Sequence, residues 1–193
     1  MDYPWYELLP SAHPTLEQGD FIAGCPIIIP PQHLEPNGDY QPVVEEFDVV
    51  VVSQSCDLTQ AGKIDNVLIC PYYPFQEYAQ ALAAKRKEAL SAKSVQRYFT
   101  ELRQGHQPNY HLLNIPPVPF EPADYLVVDF RNVYAVHVSF LLHYVTVLPE
   151  RMRLLPPYKE HLSQAFARFF MRVGLPQDLP SLSTEQAQAY IKQ

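Results

Sequence analysis

The sequence predicts an α+β fold that is mainly β: a small, largely antiparallel barrel with one helical insertion and C-terminal helices, in a single domain. Three observations support this prediction. The 193 residues include 20 prolines and only six glycines, which disfavours long helices and favours short strands joined by stiff loops. Hydrophobic residues make up 47% of the chain, enough for one core. Short β-branched runs come first, followed by a helical segment, further strands and a final helix.

The first part of the predicted barrel, residues 1–74, opens with an irregular, proline-rich arm and continues with a strand. The apolar run 21–29 is interrupted by Gly24 and Pro26, a pattern typical of a bulged or edge strand. A turn is expected over 36–39, where Pro-Asn-Gly-Asp combines residues that favour tight turns.

Two short runs are predicted as strands at the centre of the sheet. The run 47–53 is too short for a helix and holds four consecutive valines, so it should be buried on both faces. After a polar loop, a second strand over 66–70 is expected to stop at Pro71. The barrel requires 49–52 and 67–69 to be neighbouring strands of a highly curved sheet.

Residues 75–105 are predicted to be a helical insertion. Positions 76–104 contain no proline and no glycine and are rich in good helix formers, with a break expected near 91–94. Most of the charged side chains in this segment are positive. The six positive residues considered as binding candidates are Lys85, Arg86, Lys87, Lys93, Arg97 and Arg103.

Residues 106–150 are predicted to return to strands. Valine, leucine and tyrosine dominate three short runs in this part of the chain. The runs are 110–113, 125–130 and 133–138. Asp129 to Asn132 should form the hairpin corner between the last two runs.

Residues 151–193 are predicted to form C-terminal helices. The first is expected from Pro156 to Val173, with Gly174 at its end. A capping-box pattern at 183–186 predicts a short second helix. Apolar side chains of the first helix recur at helical spacing and should face the core. They are Leu162, Phe166, Phe169, Phe170 and Val173.

Charge is unevenly distributed along the chain. The net charge is −7, and the first 62 residues hold ten acidic residues and no lysine or arginine, which disfavours nucleic acid there and favours a basic partner. The cysteines are Cys25, Cys56 and Cys70, an odd number, and the N-terminus lacks the basic start of a signal peptide. We therefore expect reduced thiols, a cytoplasmic protein and no membrane association.

Three segments of the first half of the chain form a recognisable pattern: Gln18–Ile22, the strand Val49–Ser53, and Val67–Pro71. Together they resemble the MazF/PemK growth inhibitors, the toxins of bacterial toxin–antitoxin pairs. The resemblance covers residues 1–74 and implies an SH3-like barrel and, for active members, cleavage of single-stranded RNA. The string Ser-Gln-Ser-Cys-Asp-Leu at 53–58 also indicates kinship with uncharacterised bacterial proteins that carry it.

The sequence departs from this family at the positions that carry its chemistry. Phe47 and Asp48 stand where the resemblance places an arginine and a proline, and Tyr72 replaces the hydroxyl residue expected after the third-strand proline. Cleavage of RNA through its 2′-OH needs a cation to stabilise the pentavalent phosphorane and an acid–base pair. We therefore predict that this family site is inactive.

The stretch 53–58 is the most site-like part of the sequence, because small polar residues there follow a buried strand directly. Its catalytic candidates are Ser53, Cys56 and Asp57, and its binding candidates are Gln54 and Ser55. Cys56 is a candidate nucleophile with His137 or His143 as base. The alternative is a polar turn in which Asp57 bonds backbone amides and Cys56 fills a small pocket.

Composition favours one further kind of ligand, nucleic acid, and residue spacing bears on another, a metal ion. The positive residues of the insertion are suited to a phosphate backbone, with Tyr98 and Phe99 for base stacking; alternatively, they form a solvated face that balances the acidic N-terminal half. His106 and His111 are five residues apart, and no Cys or His spacing matches a metal motif. No metal and no cofactor is expected.

These observations together predict a cytoplasmic binding or regulatory module of a bacterial stress or defence system, non-catalytic or catalytically degenerate. The alternatives are an endoribonuclease acting on single-stranded RNA and a cysteine-dependent enzyme that uses Cys56. The expected partner is a protein, either a basic one or a second copy of the chain, with RNA as the alternative.

Overall fold

The computed structural model describes residues 4–33, 38, 41–60, 62–121 and 123–171. Within them the chain is α+β, with eight strands and five helices, and its strand pairs are antiparallel. The strands are β1 (Tyr6–Leu9), β2 (Phe21–Ile29), β3 (Val43–Val51), β4 (Asn66–Pro74), β5 (Tyr110–Leu113), β6 (Leu126–Asp129), β7 (Tyr134–His137) and β8 (Arg151–Leu154). The helices are α1 (Ser55–Leu58), α2 (Phe75–Arg86), α3 (Ala92–Arg103), α4 (Val138–Val145) and α5 (Tyr158–Phe170).

The strands form one large sheet and one small one. The large sheet has the order β2-β3-β4-β6-β5, with β7 also paired to β4, and the small sheet joins β1 to β8. A single bridge between Asp20 and Arg153 links the two. The predicted mainly antiparallel architecture is confirmed. The predicted barrel is not, because in the described part of the chain no strand pairing closes the large sheet on itself.

The central strands confirm the sequence prediction. β3 pairs with β4 through Val50 opposite Cys70 and Val51 opposite Ile69. Alternate side chains of β3 enter two different apolar clusters, so this end of the strand is buried on both faces. The expected irregularity of β2 is a register shift between Ile22 and Cys25.

The prediction that the following strand stops at Pro71 is wrong, because β4 continues to Pro74. Pro71 forms the last pair with β3, opposite Val49, and the next residue, Tyr72, pairs with Val128 of β6. The proline therefore lies where β4 changes partners, a position at which a missing N–H interrupts no continuous ladder.

The hairpin corner predicted at 129–132 is also wrong. β6 and β7 do not pair with each other; both run antiparallel to β4 and lie end to end along it. The Asp129 carboxylate holds the interruption between them, because it accepts hydrogen bonds from the backbone and guanidinium of Arg131 and from the amide of Asn132. The turn-forming residues thus separate two strands that both pair with β4, and they do not reverse the chain.

The helical insertion is confirmed as two helices, α2 and α3. Lys87 ends α2 in the left-handed conformation, with φ of 54°. Ser91 then caps α3: its hydroxyl accepts the Ser94 N–H at 3.2 Å, and the Ser94 hydroxyl accepts the Ser91 N–H at 2.8 Å. Phe75, Tyr98 and Leu102 pack the pair against Val127 of β6.

The C-terminal part differs from the prediction at its start. Residues 151–154 form β8 instead of a helix, since Met152 and Leu154 alternate with two arginines and enter the core. Within 106–150, the segment 138–145 is the helix α4 and not a strand.

Helix α5 confirms the predicted apolar stripe in part. Leu162 is fully buried, and Phe166 and Phe169 pack against the core, where both rings meet Phe130. Phe170 is 58% exposed, contrary to expectation. Several predicted features lie outside the described residues: most of the turn at 36–39, Val173, Gly174 and the terminal helix at 183–186.

None of the helices in the described ranges is long and apolar enough to cross a membrane.

Candidate functional site

The two serines of the predicted site at 53–58 hold the backbone of neighbouring segments. Ser53 Oγ accepts the N–H of Leu68 in β4 at 2.8 Å. Ser55 Oγ accepts the N–H of Gln18 at 3.1 Å, and the Gln18 side chain donates to the carbonyl of Val52 at 3.1 Å. Ser53 therefore binds the end of β3 to β4, and Ser55 binds α1 to the segment before β2. Both hydroxyls have a structural role.

Cys56 is exposed in α1, and its thiol has acidic and amide neighbours. Its Sγ lies 3.6 Å from both Gln54 Oε1 and Asp57 Oδ1. Asp57 pairs with Lys63, whose Nζ lies 2.6 Å from Oδ1, and this hydrogen bond lowers the pKa of the Asp57 carboxyl. Within the described ranges no histidine is a hydrogen-bonding partner of Cys56, so the structure does not bring a base to this thiol.

The positive residues of α2 and α3 do not form one continuous basic surface. Arg86 pairs with Glu101 at 3.0 Å and Arg97 with Glu88 at 2.6 Å, and both guanidinium groups lie 5.1 Å from the centre of the Tyr98 ring. These contacts neutralise two of the six candidates. Three others project from the surface as exposed lysines: Lys85, Lys87 and Lys93.

The sixth candidate, Arg103, lines a cavity that the sequence analysis did not predict. The cavity has a volume of about 750 Å³ and lies between the end of α3, strand β5 and helix α5. Besides Arg103, its charged or titratable lining residues are Arg168, His111 and His161. Among the described residues that line it, none is aspartate or glutamate, although acidic residues outnumber basic ones in the chain.

Arg103 and Arg168 give the cavity its positive charge. Both are exposed, and neither forms an ion pair with any described residue. Burial, together with the nearby His161, lowers the pKa of His111 to about 4, so His111 is neutral at neutral pH. A neutral imidazole offers one hydrogen-bond donor and one acceptor beside the two fixed positive charges.

The walls of the cavity are held by aromatic contacts. Strand β5 places His111 against Phe130, with ring centres 6.3 Å apart and nearly parallel planes. The opposite wall is α5, which Leu162 anchors in the core. Trp5 of the N-terminal arm stacks on Tyr158 of α5 at 3.6 Å, and its carbonyl accepts the Leu155 N–H at 2.9 Å. The cavity is therefore built on rigid elements.

Aromatic and amide side chains also line the cavity, and a groove lies beside it. The amide side chains are Gln104, Asn114 and Gln164, and the aromatic ones, besides Trp5, are Phe99, Tyr110 and Tyr125. The groove, of about 640 Å³, runs along α3 and shares Phe99, Arg103 and Tyr125 with the cavity. Arg103 thus lines both the cavity and the groove.

A separate charged cluster is buried at the junction of the two sheets. Asp20 is fully buried and pairs with Arg151 and Arg153 of β8. Arg153 also reaches Glu17 at 2.9 Å, and Arg151 donates to the carbonyl of His13 at 2.9 Å. These bonds fix the N-terminal arm to β8, and Asp20, Arg151 and Arg153 are buried, so we assign the cluster a structural role.

Two residues of the cavity are candidates from the sequence, Arg103 for binding and Phe99 for base stacking, and His111 enters there only through its spacing from His106. The other lining residues carry no signal in the sequence. In the described ranges, no three His, Cys, Asp or Glu side chains come together as a metal site. His111, His161 and Arg168 lie on elements distant in sequence, and no local motif connects them.

Comparison of the sequence with models of known protein families gives no match, and comparison with curated proteins gives none either.

Proposed function

We propose that the protein is a non-catalytic binding or regulatory module, and that it takes up an anionic ligand in the cavity between α3, β5 and α5. The observation that supports this most strongly is the pair of arginines, Arg103 and Arg168, which form no ion pair with any described residue and lie in a cavity whose described lining contains no acid. In a chain of net charge −7, this local excess of positive charge focuses a favourable potential on anions.

Two observations support the absence of catalysis at the segment 53–58. Ser53 and Ser55 use their hydroxyls to bind backbone amides, and Cys56 has no histidine partner among the described residues. The positions at which MazF/PemK-type toxins carry arginine and proline hold Phe47 and Asp48. In this proposal the segment 53–58 holds the neighbouring backbone in place, and the ligand binds in the cavity between α3, β5 and α5.

Kinship with the MazF/PemK family and its SH3-like barrel is part of the same proposal. It is supported by the antiparallel meander β2-β3-β4 and by the Gly-Asp step that leads into β2.

A cytoplasmic location is likewise proposed, and it is supported by three unbridged cysteines. A basic protein partner remains part of the proposal because Glu45 and Glu46 are exposed on β3.

The test is anion binding by charge variants of the cavity. Isothermal titration calorimetry with inorganic pyrophosphate at low salt should show binding by the wild type, and Arg103→Gln and Arg168→Gln should each weaken it about tenfold. Lys63→Gln is the matched control, since it removes one positive charge outside the cavity and should leave the affinity unchanged. Equal affinity in all four proteins, or no binding, would contradict the proposal.

A second candidate function, cleavage of single-stranded RNA, is favoured by one specific observation. His111 and His161 line the same cavity as two arginines, and metal-free cleavage of RNA needs proton-transferring groups beside cations. Unstructured RNA incubated with the protein and a chelator should stay intact if the module only binds. Cleavage that is abolished by His161→Asn but not by Ser53→Ala or Asp57→Ala would establish the nuclease instead.

A further inference from the structure

The size of the cavity limits its ligand to a small molecule or to one unit of a polymer. Its volume of about 750 Å³ falls within the range of roughly 300–1,000 Å³ typical of sites that enclose a single small ligand. The neighbouring groove along α3 shares Phe99, Arg103 and Tyr125 with the cavity, so there is a second space on the Arg103 side for a ligand that extends beyond it.

The charge of the cavity favours a doubly negative group. Arg103 and Arg168, both exposed, contribute two positive charges to its lining, and His111 adds none at neutral pH. A phosphate monoester carries between one and a half and two negative charges at about pH 7, whereas a phosphodiester or a carboxylate carries one. Guanidinium groups also match phosphate oxygens with two parallel hydrogen bonds, which an ammonium group does not.

The aromatic and amide part of the lining is suited to a planar, polar ring. Phe99 and Tyr125 meet edge to face, with ring centres 4.8 Å apart, and both line the cavity together with Trp5. Aromatic side chains are the usual stacking surfaces for nucleobases. The amides of Gln104, Asn114 and Gln164 and the uncharged His111 supply donors and acceptors for the edges of such a ring.

We infer that the ligand of the cavity is a nucleoside carrying a phosphate monoester, with the phosphate at Arg103 and Arg168 and the base against the aromatic wall. This inference rests on the proposed function and specifies the ligand of the same site. The phosphomonoester has two sources, a free nucleoside monophosphate or the phosphorylated end of a single strand. In the second case the groove along α3 holds the following nucleotide.

The experiment compares probes that separate the phosphate from the ring. Calorimetry on the whole chain would use AMP and UMP, their nucleosides, inorganic phosphate, and a pentanucleotide with and without a 5′-phosphate. A nucleoside monophosphate should bind at least tenfold more tightly than either its nucleoside or inorganic phosphate. Arg103→Gln and Arg168→Gln should each reduce that affinity about tenfold, with Lys63→Gln as the control.

The outcomes distinguish this inference from the function on which it rests. If inorganic phosphate binds as tightly as AMP and UMP, or if both pentanucleotides bind as tightly as the mononucleotides whether or not they carry a 5′-phosphate, the inference is overturned while an anion-binding cavity remains. If no probe binds and the arginine variants equal the wild type, the proposed function fails as well. Preference for the 5′-phosphorylated pentanucleotide over the mononucleotides identifies a strand end as the source, and the reverse preference identifies a free nucleotide.

Discussion

Neutralising the buried carboxylate of Asp20 should destabilise the protein more than any other single charge removal in the described chain. Asp20 is 0% exposed, and Arg151 and Arg153, which pair with it, are only 3% and 6% exposed. Asp20→Asn keeps the shape of the side chain but leaves two buried guanidinium groups, of which Arg153 keeps Glu17 as a counter-ion and Arg151 keeps no described ion pair. Breaking a buried ion pair from one side costs about 3–5 kcal/mol, and the partly exposed Glu17 favours the lower end, about 3 kcal/mol.

Urea denaturation followed by circular dichroism measures this loss, and Asp57→Asn is the matched control. The Asp57–Lys63 pair is also in close contact, at 2.6 Å, but its side chains are 32% and 43% exposed, so solvent screens it and its removal should change stability little. The reasoning is refuted if Asp20→Asn lowers the free energy of unfolding no more than Asp57→Asn does.

Three further predictions concern stability. Leu162→Ala should cost about 2–5 kcal/mol because the side chain is fully buried, whereas Phe170→Ala should cost far less; equal losses in thermal denaturation would show that α5 packs differently. Ser91→Ala should lower the stability of the α2–α3 insertion by about 1 kcal/mol through loss of the capping box, measured by hydrogen exchange; unchanged exchange in α3 would contradict the cap. Because the pKa of His111 is lowered from about 6.5 to about 4, the unfolded chain takes up this proton first as the pH falls. Folding stability should therefore drop by about 2 kcal/mol between pH 7 and pH 5, and His111→Asn should remove this contribution, so an identical pH dependence in both proteins would contradict it.

The strands and helices that depend on local pattern could be predicted from the sequence. The valine run of β3 and the proline-free insertion carry their own signals, since burial on both faces and helix propensity act within a few residues. The pairing of β6 and β7 with β4 could not be predicted, because Asp129–Asn132 has the composition of a hairpin turn and only the distant strand decides its role. β8 could not be predicted for a similar reason. Its two arginines alternate with Met152 and Leu154, and a strand with two buried arginines is stable only because Asp20, distant in sequence, pairs with both.

The candidate site was harder to predict than the fold. Ser53 and Ser55 suggested chemistry, but small polar residues serve equally well to bond backbone amides at the end of a strand. The cavity lies between α5 and β5, so that Arg168 lines the same space as Arg103 and His111. Such long-range convergence leaves no spacing pattern in a single sequence.

Chemical-shift mapping by NMR tests most directly whether the cavity, and not the segment 53–58, is the binding site. In a titration of the ¹⁵N-labelled protein with AMP, the amide signals of Gly105, Leu112 and Gln164, which belong to residues of the cavity wall, should shift progressively and saturate. The signals of Ser55 and Cys56 in α1 should stay in place. Saturable shifts centred on Ser55 and Cys56, with the cavity signals unmoved, would contradict the assignment of the cavity as the binding site.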